Sequence, residues 1–360
     1  MIIPFFNVSK TMNSLNHNTY VQDILSQADS VKVALTKFDP TSLKSLTHSI
    51  QRGDFDRIVL TGMGGSLFAS YPIWLQLINA GLPAYWIDCA ELIHHAQPIV
   101  TKHALIWITS QSGRSAEIVS ALEVVRQAGA TILATVNDLN SPLAQAAQYH
   151  VPIHAKVEKT VSTRTYVNTL AVSQLAALTL TNGNIQNGLD ELNSTTLGMQ
   201  DYFSDWETHL QTIQERITPT PNLILLGRGS SLAAVYTGAL ILGEASKVAA
   251  IGMQAGEFRH GPMELASEKL TVLLFAGPRE TQELNSHLHK DLNEAGARSV
   301  WITTPDDIQL EPQIPMPRAI GIGSSIVEII PIQMLTSHMA LQNGVEPGQF
   351  FRSEKVTLAE

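Results

Sequence analysis

The sequence is poor in cysteine: Cys89 is the only one in 360 residues. A single thiol excludes an intrachain disulfide and a thiolate metal cluster. It lies in the apolar run Ala84–Ala90, where a buried, inert thiol is expected. Charge is sparse at 15% of residues, and positive charge sparser still. Lys and Arg number 23 against 32 Asp and Glu, a formal net charge of −9. Non-specific binding to nucleic acid or to an anionic membrane needs the opposite balance, so neither partner is expected. A small anion is not excluded, because a few backbone N–H groups can hold a phosphate without net basicity. No apolar run approaches the ~18–20 residues of a membrane span. The opening Met1-Ile-Ile-Pro-Phe-Phe lacks the basic start of a secretory signal, so a cytoplasmic protein is expected. Metal-ligating patterns are missing too. His94 and His95 are adjacent, His287 and His289 are two apart, neither pair shares a helix face, and there is no HExxH. Neither metal nor cofactor is expected.

What the sequence does have is apolar residues, 44% of the total, and an internal duplication. Arg57-Ile-Val-Leu-Thr-Gly-Met-Gly-Gly-Ser-Leu67 is echoed by Asn222-Leu-Ile-Leu-Leu-Gly-Arg-Gly-Ser-Ser-Leu232 at a constant offset of 165 residues. In both places a short apolar run turns through glycines into helical periodicity. Candidate strands in the first half fall at 57–61, 84–88, 104–109, 131–136 and 150–153, with amphipathic helices near 66–79, 115–128 and 141–148. A long helix over 160–182 closes that half. The second continues with helix 231–247, strand 271–276, helix 281–295, strand 298–303, a last strand near 318–323 and helix 325–343. Such alternation builds parallel sheets covered by helices on both faces. The expected architecture is α/β, with two doubly wound, flavodoxin-like parallel-sheet domains at 51–184 and 221–345. A helical N-terminal arm over 1–50, a helical inter-domain segment over 185–220 and a tail over 346–360 complete the division.

Gly62-Met-Gly-Gly-Ser-Leu67 joins a strand to a helix N-terminus, an arrangement whose unpaired N–H groups and dipole favour an anion. By itself it serves equally well as a simple connection. A dinucleotide fingerprint would want a third glycine where Leu67 stands, although Asp88 occupies the place of a ribose-binding acid, which keeps that alternative open. Neither turn carries the Gly-Lys-Ser/Thr of a Walker loop. Ile108-Thr-Ser-Gln-Ser-Gly-Arg-Ser115 is sharper. Ser110, Gln111, Ser112 and Ser115 offer three hydroxyls and an amide at the carboxyl end of a parallel strand, where open α/β sheets bind ligands. A serine-capped polar turn is the plainer explanation. The twin location, Phe275-Ala-Gly-Pro-Arg-Glu280, has no serine cluster, so the two halves have diverged.

These turns, together with Glu158-Lys-Thr-Val-Ser-Thr-Arg-Thr-Tyr166, resemble the sugar isomerase (SIS) domain family. Leu242-Gly-Glu-Ala-Ser-Lys247, Gln254-Ala-Gly-Glu-Phe-Arg-His-Gly-Pro262 and Phe351-Arg-Ser-Glu-Lys-Val-Thr357 extend the likeness to its tandem form, as in the isomerase half of glucosamine-6-phosphate synthases. The resemblance implies that Ser66, Ser110, Gln111, Ser112 and Ser115 hold the phosphate of a phosphosugar, that Gly64 and Gly65 belong to the same substrate site, and that Ser162 and Thr163 contact the sugar. It implies that Glu244 moves a proton between C1 and C2. It further implies that His260 opens the sugar ring from the neighbouring subunit of a homodimer with a shared active site. Such chemistry suits these residue types: a carboxylate lifted towards neutrality can shuttle a proton alpha to a carbonyl, and histidine works near pH 7. Taken alone, Glu244 would be a helix-surface acid paired with Lys247, and His260 a packed or surface histidine.

The glutamine-hydrolysing domain of the synthases has no counterpart in this sequence, so the chain is not expected to make its own ammonia. Ile241 stands where the synthases have a lysine. Their C-terminal lysine aligns with Glu354, and Lys355 is one position away as the remaining catalytic candidate. A covalent imine with an open-chain ketose is therefore not expected. The favoured expectation is conversion of glucosamine 6-phosphate to fructose 6-phosphate and ammonia. The alternatives are a plain aldose–ketose phosphosugar isomerase and a non-catalytic phosphosugar sensor.

Overall fold

The computed structural model describes residues 15–217, 221–307, 309–352 and 354–358. The first fourteen residues of the expected N-terminal arm lie outside them. Its remainder forms helices Thr19–Leu25, Gln27–Lys37 and Lys44–Gln51.

Ten strands build two five-stranded parallel sheets. The first contains β1 (Arg57–Gly62), β2 (Ala84–Asp88), β3 (Ala104–Ser110), β4 (Thr131–Val136) and β5 (Tyr149–Pro152), in the order β2-β1-β3-β4-β5. The second contains β6 (Asn222–Gly227), β7 (Ile251–Gln254), β8 (Leu270–Phe275), β9 (Arg298–Thr303) and β10 (Gln313–Pro315), in the order β10-β9-β8-β6-β7. Numbered within each half, both orders are 2-1-3-4-5. The duplication seen in the glycine turns therefore extends to the whole topology. In each sheet the order reverses beside the first strand, and the carboxyl edge there is where doubly wound sheets take ligands.

Two expectations for the second half are corrected. Residues 318–323 form no strand; the edge position belongs to Gln313–Pro315, and Gly321–Gly323 is a single 3-10 turn. The apolar stretch 319–323 meets the helix Ile185–Ser204 instead. There Glu191 Oε2 accepts from Ile322 N at 3.0 Å, and a Cβ on Gly323 would stand 1.9 Å from Thr195 Oγ1. Strand β7 is the other omission: its four residues open the Gln254–Pro262 segment, whose polar motif obscures the short apolar run before it.

The largest core lies between the two sheets. It is built around the helices Arg164–Leu180, Leu232–Ser246 and Ile330–Gln342, and smaller clusters cover the outer faces of both sheets. Arg164–Leu180 buries fifteen of its seventeen residues, so it is the central beam rather than a surface helix. Leu232–Ser246, from the second half, packs on Gly64–Ala69 of the first, with Phe68 and Tyr236 ring centroids 5.5 Å apart. That packing carries second-half residues to the mouth of the first glycine turn.

The second glycine turn is closed. Ser231, the twin of Ser66, is wholly buried and donates to Glu328 Oε1 at 2.6 Å. Burial pushes the Glu328 carboxyl up to about 7, against the opposing hydrogen bond from Ser231. Between its ordinary value and about 7, the folded chain holds a proton that the unfolded chain has released, so stability falls as pH rises through that window. Glu328→Gln can still accept from Ser231 but does not titrate. It is expected to match the parent near pH 4.5 and to exceed it above pH 8 by on the order of 3 kcal/mol in urea unfolding. An equal difference at both pH values would remove Glu328 as the source.

Candidate functional site

Strands β1 and β3 are neighbours, with Gly62 opposite Thr109. The two turns that follow them therefore open side by side at the switch point. Gly62 permits this approach, since a Cβ there would stand 2.6 Å from Thr109 O. The Ser110-Gln-Ser-Gly turn is fixed from within: Ser110 Oγ accepts from Gly113 N at 3.1 Å and Ser112 Oγ from Arg114 N at 3.2 Å. Gly113 has φ +62°, and a Cβ would stand 2.3 Å from Ser141 Oγ, so glycine is required on two counts. Arg114 is tied outward to Asp138 at 2.7 Å. Ser115 is the N-cap residue of the helix Ala116–Ala128, and its hydroxyl makes no capping bond, which leaves it free to face a ligand.

A cavity of about 350 Å³ lies over these turns. Gly64, Gly65, Ser66, Ser110, Gln111, Ser112, Ser115 and Ser162 line it, and Glu244 and Lys355 line it as well. Ten of the twelve residues singled out from the sequence thus meet in one place, drawn from both halves and the tail. Thr163 and His260 do not line it. Thr163 is wholly buried, and its Oγ1 donates to Glu158 Oε1 at 2.8 Å. His260 is exposed on the turn after the short helix Ala255–Phe258.

Asp88 is occupied elsewhere: its carboxylate accepts from Ala90 N and Glu91 N, capping the helix Cys89–His94. Nor does Glu244 pair with Lys247 as a helix-surface acid would. Lys247 Nζ instead donates to the Glu244 backbone carbonyl and to Gln349 O, and stands 4.7 Å from the Phe351 ring centroid. Burial raises the Glu244 carboxyl above its ordinary value, partly offset by Lys355 and then Lys247. Ile241, one turn before it, lines the same cavity and supplies no charge. The result is a proton-accepting group held closer to neutrality than an exposed glutamate.

Sequence reasoning gave no role to Glu158, the residue that organises this region. Its side chain is inaccessible. Oε1 accepts from Thr163 N at 3.2 Å and Thr165 N at 3.3 Å; Oε2 accepts from Thr165 Oγ1 at 2.5 Å and from Lys355 Nζ at 3.3 Å. A carboxylate thus sits at the N-terminus of the helix Arg164–Leu180, where amides and dipole both favour it. Lys355 also donates to Thr160 O at 2.6 Å, which locks its ammonium group. The tail is held again where Ala116 N donates to Thr357 O at 3.1 Å. Tyr166, Thr237, Phe350 and Glu354 are among the further lining residues, and sequence reasoning gave none of them a place in the walls. No single local pattern marks them, because they converge from three separate stretches of chain: the helix Arg164–Leu180, the helix Leu232–Ser246 and the tail.

Two doubly wound sheets with one hydroxyl-lined cavity at a switch point define a tandem α/β ligand-binding protein. The SIS domain family model matches residues 54–179 and 216–342, and the chain belongs to that family, once in each half. It is 28% identical over 290 residues to the glutamine–fructose-6-phosphate aminotransferase (isomerizing) of Synechocystis, covering 75% of this chain and 46% of that protein. The Pyrococcus horikoshii enzyme of the same name is 28% identical over 310 residues, covering 81% and 50%. The chain thus spans about half the length of these relatives. Among solved structures, the C-terminal domain of glucosamine-fructose-6-phosphate aminotransferase from Francisella tularensis matches with TM-score 0.80 at 20% identity, covering 92% of this chain and 98% of that one. A glucosamine-6-phosphate deaminase from Thermotoga maritima matches with TM-score 0.75 at 17% identity, covering 94% and 99%. The Escherichia coli tagatose-6-phosphate ketose/aldose isomerase gives 0.77 at 19%, covering 94% and 98%. Among the described residues no helix is long and apolar enough to cross a membrane.

Lys355 is one of the contacts by which the tail closes the cavity. Lys355→Met leaves a buried carboxylate short of one donor and is expected to cost roughly 1–3 kcal/mol. Limited proteolysis should then cut within 346–358 faster than in the parent chain. Unchanged cleavage together with unchanged thermal unfolding would show that the pair does not hold the tail.

Proposed function

We propose that the chain is a phosphosugar isomerase acting on an amino-hexose 6-phosphate, and that it couples isomerisation to deamination. The observation that carries this is a partly buried carboxyl, Glu244, lining the same cavity as the Ser66 and Ser110–Ser115 hydroxyls. The hydroxyls and the first amides of two helices hold the phosphate, and the walls contributed by Ser162, Lys355 and Glu354 face the sugar. Glu244 removes the proton from C2 of the open-chain aldose, leaving a 1,2-enaminol, and returns it to C1. The product is the C2 imine of the ketose. Water adds at C2 and ammonia leaves, giving fructose 6-phosphate from glucosamine 6-phosphate. No step requires a cofactor. His260, exposed and away from this chain's own cavity, opens the ring of a sugar bound in a second copy of the chain, in a homodimer.

Glu244→Gln keeps the shape and removes the base. Turnover is expected to fall by roughly 10²–10⁴ while phosphosugar binding persists. Mixing Glu244→Gln and His260→Ala chains after subunit exchange is expected to recover activity, since some sites then combine one intact residue from each. Near-normal turnover in Glu244→Gln would end the assignment, and failure to recover after confirmed exchange would end the shared site.

The locked Lys355 ammonium group makes a poor nucleophile towards a ketose carbonyl. Borohydride with fructose 6-phosphate is therefore expected to leave the chain's mass unchanged, while glucosamine 6-phosphate releases ammonia. A stable adduct on Lys355 would overturn the first expectation. Aldose–ketose exchange without ammonia from any amino-sugar phosphate would reassign the chain as a plain isomerase.

A further inference from the structure

The second half carries a cavity of its own, away from the switch-point site. It is an open depression of about 380 Å³ beside the carboxyl end of β6, lined by Arg228, Arg259, Leu284, His287, Lys290 and Asp291. Arg228 is the residue that replaces Met63 in the duplicated glycine turn. Its Nε donates to Asn285 Oδ1 at 3.0 Å. Asn285 is wholly buried, and its Nδ2 donates to the carbonyls of Phe275 and Ala276, each at 3.1 Å, which fixes the amide oxygen towards the guanidinium. Gly256 leaves room on the other side, where a Cβ would stand 3.0 Å from Arg228 Nη1. The guanidinium is therefore set in place by buried scaffolding rather than draped on a surface.

The charges around it do not cancel. Arg259 is paired with Asp291 at 2.7 Å, and Lys290 reaches Glu294 only at 3.7 Å with both side chains exposed. Among the described residues no carboxylate lies within ion-pair distance of Arg228. Arg228, Arg259 and Lys290 thus face a single lining carboxylate in a chain whose net charge is −9. Burial, and then the charge of Arg259, lowers the Arg228 pKa from its ordinary value. Asp291 offsets Arg259, which leaves the Arg228 guanidinium to attract a further anion.

We propose that this cavity binds the dianionic phosphate group of a small molecule, as a second site separate from the one over Ser110–Ser115. Arg228 presents its free fork to two phosphate oxygens, and Lys290 and His287 supply further donors from one helix, Arg279–Glu294. The backbone cradle used in the first half is closed in this one: Pro278 stands 3.1 Å from where a Gly229 Cβ would lie, and Ser231 is committed to Glu328. Guanidinium groups take over what serine hydroxyls and amides do at the switch point. The volume admits a ligand the size of a phosphorylated sugar. This inference rests on the cavity's own residues and stands whether or not Glu244 is a catalytic base.

Calorimetric titration of the Ser110→Ala/Ser112→Ala chain, whose first cavity is weakened, reads the second. Fructose 6-phosphate, adenosine monophosphate and inorganic phosphate serve as probes. One equivalent of at least one probe is expected to bind. Its affinity should fall at least tenfold on adding Arg228→Gln and more modestly on adding Lys290→Gln, whose exposed side chain makes misfolding no explanation. Tighter binding of an ester than of inorganic phosphate assigns the site to a phosphorylated metabolite, and equal binding to free phosphate; either supports the proposal. No residual binding of any probe, or residual binding indifferent to both added substitutions, overturns it. Loss of turnover in Glu244→Gln reports on the first cavity alone, so the two assignments fail separately.

Discussion

A buried carboxylate must be satisfied or it destabilises the fold, and that requirement at Glu158 sets the shape of the switch-point cavity. Its donors are two amides and two hydroxyls at the start of the helix Arg164–Leu180, together with Lys355 from the tail. Arg164 stands 3.7 Å from Glu158 and pairs with Asp23 of the N-terminal arm at 2.7 Å. One carboxylate thus draws the central helix, the arm and the tail to a common point beneath the cavity floor. The hydroxyl turns above it hold their form through bonds within the first half, so Glu158 governs the walls rather than the cradle.

The two halves share one topology and differ through small changes at matched positions. Ser66 opens to a cavity where Ser231 is buried against an acid; the serine-rich turn after β3 corresponds to a proline turn after β8. The second half in exchange lends its helix Leu232–Ser246 to the first. Glu244 reaches the cavity because that helix lies against Gly64–Ala69, a contact between halves and not within either.

The fold was largely legible because its signals are local. Apolar runs ending in glycine, followed by helical periodicity, located eight of the ten strands to within a few residues. Strand β7 has four residues and β10 three, too few to show a period, and the apolar stretch 319–323 owes its composition to helix packing. The cradle was legible for the same reason, since Ser110, Gln111, Ser112 and Ser115 all fall within the single connection from β3 to the helix Ala116–Ala128. Glu158 was not, because its partner Lys355 lies 197 residues on. Thr163 is a hydroxyl in the right segment whose rotamer serves that carboxylate, a choice only packing makes. The exposed position of His260 likewise depends on where the turn after β7 leads.

The tail has a consequence for any affinity measured at the switch-point cavity. Residues 346–358 supply Phe350, Glu354 and Lys355 to its walls, yet a handful of polar contacts hold them. A ligand that needs those walls binds only the docked fraction of molecules, and its apparent dissociation constant is the intrinsic one divided by that fraction. Half docking would weaken apparent binding about twofold, and one-tenth docking about tenfold. Ligand and tail then stabilise one another reciprocally, so a substitution that loosens the tail far from the cavity would alter affinity without altering any group that touches the ligand.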